Sequence, residues 1–388
     1  MVDLFQTNSF RVSEWLYFHP AWGKITFVQK AVGFMVGLLL FGSAVFPAQA
    51  AFTNLYVFGD SISSTTDNPA PPGPFYYGKR YSNGRVWVEV LAQRQGLTLY
   101  PTNNWSYFGN SSTSMVANVI SFQAPSNASN ALFVIWVNCA DLWFQAYNSG
   151  TSINAWTNAM NVSLTNHFKA ITNLYAKGAR TLIMPNVVDL STIPAFNSTA
   201  NTNFVHQRCL DYNVAFTNTL NRASTNSNYP GLTIYMPDFF TLLTNILVYP
   251  ASYSVTNALS PKGHSIDVID SSLSDMTTNG PGTNYIFWDP QDPSAKVHMW
   301  MGNLAQQLIS PVLISNFTAL NGSNRLDMAN VPIGQNGLVI GRTNLVLGNW
   351  TTNVSFNSTN VTQTVFFVPA SDPQCFYRLS FPYSWTWP

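Results

Sequence analysis

The sequence has little charge. Only 9% of its 388 residues are Asp, Glu, Lys or Arg, against roughly 25% in an average soluble domain. The 17 basic and 16 acidic residues leave a formal net charge of +1, so no basic footprint for a nucleic-acid partner is present. Cysteine is scarce as well. Cys139, Cys209 and Cys375 are odd in number and far apart, which argues against a disulfide framework and a zinc site. They read as buried thiols, with one disulfide as the alternative. Nor is there a membrane-length apolar run near the start: Ala31 to Phe46 is about 16 residues, short of the roughly 20 a spanning helix needs.

That apolar run has a different reading. Lys30 precedes it and Ala48-Gln49-Ala50 follows it, the layout of a secretory leader with a small-residue cleavage site. The expectation is cleavage after Ala50 and a secreted or cell-envelope protein. The preceding 30 residues are long for the polar start of a leader. An uncleaved anchor is the alternative, and it is the one membrane contact the sequence suggests.

Hydrophobic residues make up 46% of the chain, enough for a large core. Short apolar runs begin at Leu55, Leu132, Thr181 and Leu232, each stopped by a turn or a polar residue. They read as buried strands. Between them lie helical patterns. Val86, Val90 and Leu91 share one face, with Gly96 as the stop; Ile153 to Lys177 repeats apolar residues at helical spacing. Residues 201–223 and 295–309 read as further helices. Buried strands alternating with helices predict an α/β fold with a parallel sheet. Such sheets bind ligands at the carboxyl ends of their strands. The important positions are then Ser61, Asn138 to Asp141, Asn186 to Asp189, and Asp238. Beyond about residue 315 the chain turns rich in Val, Thr and Asn without helical period. The expected division is a leader over 1–50, an α/β domain over 51–314 and a small β-rich module over 315–388.

"VFGDSISS", residues 57–64, places Ser61 just past a buried strand. A serine hydroxyl is a weak nucleophile until a base takes its proton, and Gly-Asp-Ser alone reads equally as a turn and helix cap. The blocks that follow sharpen the reading. "YYGKRYSNGRVWVEVLA", "NNWSYFGNSS", "LFVIWVNCADLW", "YAKGARTLIMPNVVDL" and "FWDPQDPS" come in this order after the serine. In order and spacing, residues 53–312 resemble the GDSL esterases and lipases of the SGNH hydrolase superfamily. The resemblance implies a three-layer α/β/α fold with a flavodoxin-like parallel sheet. It also implies ester hydrolysis through an acyl-serine, on a lipid, an acylated glycan or a small ester.

Carried over by the resemblance, Ser61 matches the nucleophile and Asp289 the acid that orients the base. Gly109 matches the glycine whose N–H donates to the oxyanion; glycine allows close approach there. Two positions depart from the pattern. Ala140 stands where the family has an oxyanion-donating asparagine, and Asn138, two residues earlier on the expected strand end, is the candidate substitute. Asp292 stands where the family has its histidine base. It reads as a helix N-cap with Pro293 at the first helical position, and an unperturbed carboxylate, with a pKa of about 4, is a feeble base. His298 and His264 are the candidate substitute bases. His298 falls on the apolar face of its helix with Met301, Gly302 and Ala305, which favours a packed core residue; His264 lies in a polar insertion. His167 and His206 read as structural or solvated, and His19 precedes the expected cleavage site. No His, Cys and carboxylate cluster has metal-ligand spacing, and no phosphate loop appears, so neither metal nor cofactor is expected. The alternative function is a degraded relative that binds an acyl or glycan ligand, or the cell envelope, without turnover.

Overall fold

The computed structural model describes the backbone of Leu16–Phe18 and residues 52–66, 76–255, 284–344, 347–368 and 375–382. Of the expected leader only Leu16–Phe18 is described; its apolar run, the expected cleavage site after Ala50 and His264 lie outside the described residues.

Strand β1 (Leu16–Phe18) comes first. Four strands then form a parallel sheet: β2 (Leu55–Gly59), β3 (Leu132–Trp136), β4 (Thr181–Ile183) and β5 (Thr233–Tyr235), side by side in that order. Leu55 aligns with Leu132, Leu132 with Thr181, and Thr181 with Thr233. Every residue of β2 and β3 is buried, as expected of strands covered on both faces. That is why they read as unbroken apolar runs without alternation.

The helices are α1 (Trp87–Arg94), α2 (Ser112–Ser121), α3 (Asn138–Asn148), α4 (Ile153–Ala176), α5 (Thr202–Ser224), α6 (Phe239–Val248) and α7 (Ala295–Ile309). On one face of the sheet, Trp87 of α1 and Phe239 of α6 pack edge-on against Trp136 of β3, and α1 packs along α7. On the other, Phe122 at the end of α2 packs against Tyr56, Phe58 and Phe133. α2, α3 and α5 all pack on α4. The result is the expected α/β/α sandwich. Full burial of each large apolar side chain in it contributes about 1.5–3 kcal/mol.

After α7 the chain is all β. Strands β6 (Leu313–Leu320), β7 (Ser323–Ala329) and β10 (Thr362–Phe367) make one antiparallel sheet. Strands β8 (Gly337–Arg342), β9 (Thr351–Phe356) and β11 (Cys375–Ser380), with β1 beside β11, make another. They enclose a separate small core that includes Leu326, Met328, Val339, Phe367 and Leu379. Buried Arg94 of α1 joins the two regions: its Nε donates to Asn303 Oδ1 at 2.9 Å and its Nη1 to the Ile333 carbonyl at 2.8 Å.

Two expectations shift. The segment after β3 turns at once into α3, so Asn138 is the first residue of a helix and not a strand end. Helices α2 and α6 were not among the expected elements; their polar Ser/Thr content or short apolar run hides the helical period. All three cysteines are free thiols, Cys139 and Cys209 buried.

Candidate active site

Ser61 stands where β2 meets α-side structure at the carboxyl edge of the sheet. The turn is tight. A Cβ on Gly59 would sit 2.7 Å from Ser63 Cβ and 2.7 Å from Ser106 Oγ, so only glycine fits. Asp60 caps the single 3-10 turn Ser61–Ser63, accepting the Ile62 N–H on Oδ1 at 3.2 Å. Ser63 is anchored in turn by the Trp87 indole N–H at 3.0 Å. The serine therefore leaves the strand in one defined direction.

The partner loop is a short return. Trp288 N–H donates to the Asp292 carbonyl and Ser294 N–H to the Ile286 carbonyl, both at 2.9 Å. Asp289 ties the tip together. Its Oδ1 accepts the N–H of Gln291 at 2.8 Å and of Asp292 at 2.7 Å, an Asx turn. Its Oδ2 accepts the Tyr76 hydroxyl at 2.9 Å. This tip aims Asp292 at the end of β2, and Ser61 Oγ donates to Asp292 Oδ1 at 3.0 Å. Both carboxylates are buried, Asp292 to 2% exposure and Asp289 to 6%.

The N-cap expectation for Asp292 is thereby corrected. Helix α7 begins at Ala295, so Ser294 holds the cap position and Pro293 precedes it. The cause is the return itself: Pro293 bridges Phe287 and is held in the loop. The Ala295 N–H that a cap would serve is accepted by Asn83 Oδ1 at 2.8 Å, from the far end of the domain's sequence.

Burial, and next the negative charge of Asp289, hold the Asp292 carboxyl well above the usual carboxylate range; the Ser61 hydrogen bond opposes them. Burial likewise pushes Asp60 up to about 7. Asp289 and Asp60 thus act on the one carboxyl that accepts the Ser61 hydroxyl, in a low-dielectric setting.

Ser61, Asp292, Gly109 and Ala140 line one cavity. Phe108, Trp143, Leu190 and Ile193 give it an apolar wall. Gly109 has φ +81°, and a Cβ there would meet nothing within 4 Å. Within the protein the glycine is required by backbone conformation and not by crowding, which refines the close-approach argument. Among the described residues, no hydrogen bond takes the N–H of Ser61 or of Gly109.

Two substitutes do not take the expected places. Asn138 is fully buried and its Nδ2 donates to the Pro185 carbonyl at 3.0 Å, so its amide ties α3 to the end of β4 and does not line the cavity. The position of the family's donor is a methyl group, Ala140. His298 is also fully buried. Its Nδ1 accepts the Trp87 N–H at 3.2 Å, and burial lowers its pKa to about 3. It joins α7 to the start of α1, and no hydrogen bond links it to Ser61 among the described residues. His206, on α5, pairs instead with Asp189 at 2.6 Å. His167 is buried with Nδ1 at 2.8 Å from the Ser163 carbonyl.

Sequence reasoning passed over Tyr76, Asn83 and Asn110. Asn110 Nδ2 holds the Gly59 carbonyl at 2.8 Å and so fixes the strand end under Ser61. All three lie inside the quoted blocks. Their long-range partners, 213, 212 and 51 residues away, leave no local signal.

The chain is similar to known proteins over part of its length. It is 24% identical over 184 residues to the phosphatidylcholine-sterol acyltransferase of Aeromonas hydrophila, covering 42% of this chain and 53% of that protein. It is 28% identical over 142 residues to a GDSL esterase/lipase of Arabidopsis thaliana, covering 34% of this chain and 40% of that protein. The chain thus spans about half the length, or less, of the curated relatives it matches. No family model matches. Among solved structures, a lipase from a goat rumen metagenome superposes with a TM-score of 0.40 at 10% identity, over 66% of this chain and 98% of that one. An acetylxylan esterase of Geobacillus stearothermophilus gives a TM-score of 0.40 at 13% identity, over 66% and 94%. The parallel sheet with helices packed on it defines a three-layer α/β/α fold, with Ser61 just past the carboxyl end of β2. In the order of its motif blocks the chain resembles the GDSL esterase/lipase family, and its partial relatives include GDSL esterase/lipases of Arabidopsis thaliana. It carries Ala140 and Asp292 where that family's motifs have asparagine and histidine.

Proposed function

We propose that residues 51–314 act as an ester hydrolase of the GDSL type, with Ser61 as nucleophile. The observation that carries the proposal is the setting of the Ser61 hydroxyl. It opens into a cavity with an apolar wall and donates to a buried carboxylate at 3.0 Å. In this reading Ser61 Oγ attacks the acyl carbon and an acyl-serine forms. The Ser61 and Gly109 N–H groups receive the oxyanion, each donor being worth about 3–4 kcal/mol in comparable sites. Asp289 holds the loop that brings Asp292 to the serine.

The apolar lining of the cavity beside Ser61 suits the acyl part of a lipid, an acylated glycan or a small ester. The apolar wall receives the acyl chain and the alcohol part faces the opening. The segment Lys30 to Ala50 supports export, with cleavage after Ala50, and no helix among the described residues is long and apolar enough to cross a membrane. Residues 315–388 form an appended β module in this division.

Ala140 favours a second reading. Without the side-chain donor, the site stabilises an oxyanion less well, and the protein then binds an acylated ligand without turnover. Hydrolysis of a short-chain chromogenic ester by the purified chain and by Ser61→Ala separates the two. The hydrolase reading expects turnover that Ser61→Ala abolishes. Equal, background-level rates would leave only the binding reading.

A further inference from the structure

We propose that Asp292 is the proton acceptor for Ser61, held in place by Asp289 and Tyr76, so that a carboxylate pair does the work of the absent imidazole. The inference rests on the hydrolase reading of the same site. Its basis is geometric. Asp292 Oδ1 is the acceptor that the Ser61 hydroxyl uses, at 3.0 Å, within the distance a general base requires. The two histidines described nearest in sequence are engaged elsewhere, His298 with Trp87 and His206 with Asp189.

The loop is built around this contact. Asp289 accepts three donors: two backbone N–H groups of the turn that carries Asp292, and the hydroxyl of Tyr76. Burial, then the neighbouring Asp289, raise the basicity of Asp292, and Asp60 adds to this from the end of β2. An ordinary aspartate is too weak a base for a serine. One desolvated beside a second carboxylate is stronger, and moves toward the range in which general bases operate at neutral pH. The groups facing Asp292 are Asp289 from its own loop and Asp60 and Ser61 from the end of β2. Tyr76 faces the pair through Asp289.

The chemistry balances without a further reagent. As Ser61 Oγ bonds to the acyl carbon, its proton passes to Asp292 Oδ1 and the carbonyl electron pair moves onto oxygen. Collapse of the adduct breaks the bond to the leaving alkoxide, which takes the proton from Asp292 and departs as the alcohol. Water then gives a proton to Asp292 as it attacks the acyl-serine. Ser61 Oγ leaves with that proton, and the carboxylic acid is released.

The test measures kcat/KM against pH for p-nitrophenyl acetate with wild type, Ser61→Ala, Asp292→Asn, Asp292→Ala and Asp289→Asn. The expected result is a roughly 100- to 10,000-fold loss in Asp292→Asn, with native circular dichroism. Added formate restores turnover in Asp292→Ala, because it supplies a carboxylate to the vacated space. In Asp289→Asn the alkaline-rising limb of the profile moves to lower pH, since Asp292 loses its charged neighbour; a purely structural role for Asp289 would lower the rate without moving the limb. If Asp292→Asn does not fold, formate rescue and the shifted limb decide. Wild-type turnover that Ser61→Ala abolishes and Asp292→Asn retains overturns the assignment of Asp292 and leaves the hydrolase reading standing. Background turnover in wild type, equal to that of Ser61→Ala, overturns both.

Discussion

Ser61 and Asp292 are 231 residues apart in sequence, and the hydroxyl of one donates to the carboxylate of the other at 3.0 Å. The contact is made by two independently braced loops. One is fixed by Gly59, Asp60 and Asn110 at the end of β2; the other by the Asx turn of Asp289 and the Tyr76 hydroxyl. Neither loop depends on the other for its shape. The site is therefore in place before any ligand arrives, which is what positioned catalysis requires.

Asp292→Asn is expected to stabilise the protein at neutral and alkaline pH while lowering its activity. Asparagine keeps an acceptor for Ser61 and carries no charge to desolvate. The folded-state pKa of Asp292 is raised, so the native state binds more protons than the unfolded state above pH about 4. Stability then falls as pH rises from that value through the folded pKa. The variant lacks this loss. Urea unfolding at pH 5 and pH 8 checks it: the advantage of the variant should be larger at pH 8. An equal difference at both pH values would contradict the charge argument.

His298 acts in the opposite sense. Its pKa falls from an unfolded value of 6.5 to about 3, so acid protonates the unfolded state first. Its contribution to stability is complete above pH 6.5 and is lost as pH falls toward 3. Asp60, raised to about 7, loses stability in the other direction over much of the same window, and the two slopes offset each other. His298→Phe removes one slope. It leaves the Trp87 N–H without its acceptor, a cost of about 1–3 kcal/mol, most visible at pH 7 and smaller at pH 4. The position of the pH–rate limb should not change, since His298 is no part of the proposed proton path. Thermal unfolding and ester hydrolysis across pH 4–8 report both.

Asn138→Ala separates a structural amide from an oxyanion donor. Loss of the bond to the Pro185 carbonyl should cost about 1–3 kcal/mol of stability. Loss of an oxyanion donor would instead lower kcat by about 100- to 1,000-fold. The account predicts the first effect without the second. A rate loss of that size in a variant of wild-type stability would restore Asn138 to the site.

Much of the fold was legible. The buried strands at Leu55 and Leu132 and the helix over Ile153–Ala176 carry strong local patterns, and the sheet follows from their alternation. Ser61 and Asp289 sat in motif blocks with a fixed order. The other half of the site was not legible, for a physical reason. Asp292-Pro293-Ser294 is a good local helix start, and local capping chemistry predicts the wrong residue as the cap. Tertiary structure overrides it: the Phe287 and Pro293 bridge holds the loop, and Asn83 takes the helix N–H. Nothing in the neighbourhood of Asp292 announces a serine 231 residues away. Asn138 misled in the same manner, because its side chain is used across the sheet edge by Pro185.

The most direct test of the central claim is mass spectrometry of the protein during turnover. Wild type is mixed with p-nitrophenyl acetate, quenched in acid within the first turnovers and digested. The account predicts an added acetyl group on the peptide that contains Ser61, absent from Ser61→Ala. Turnover with no acetyl on that peptide, or with the label on another residue, would contradict it.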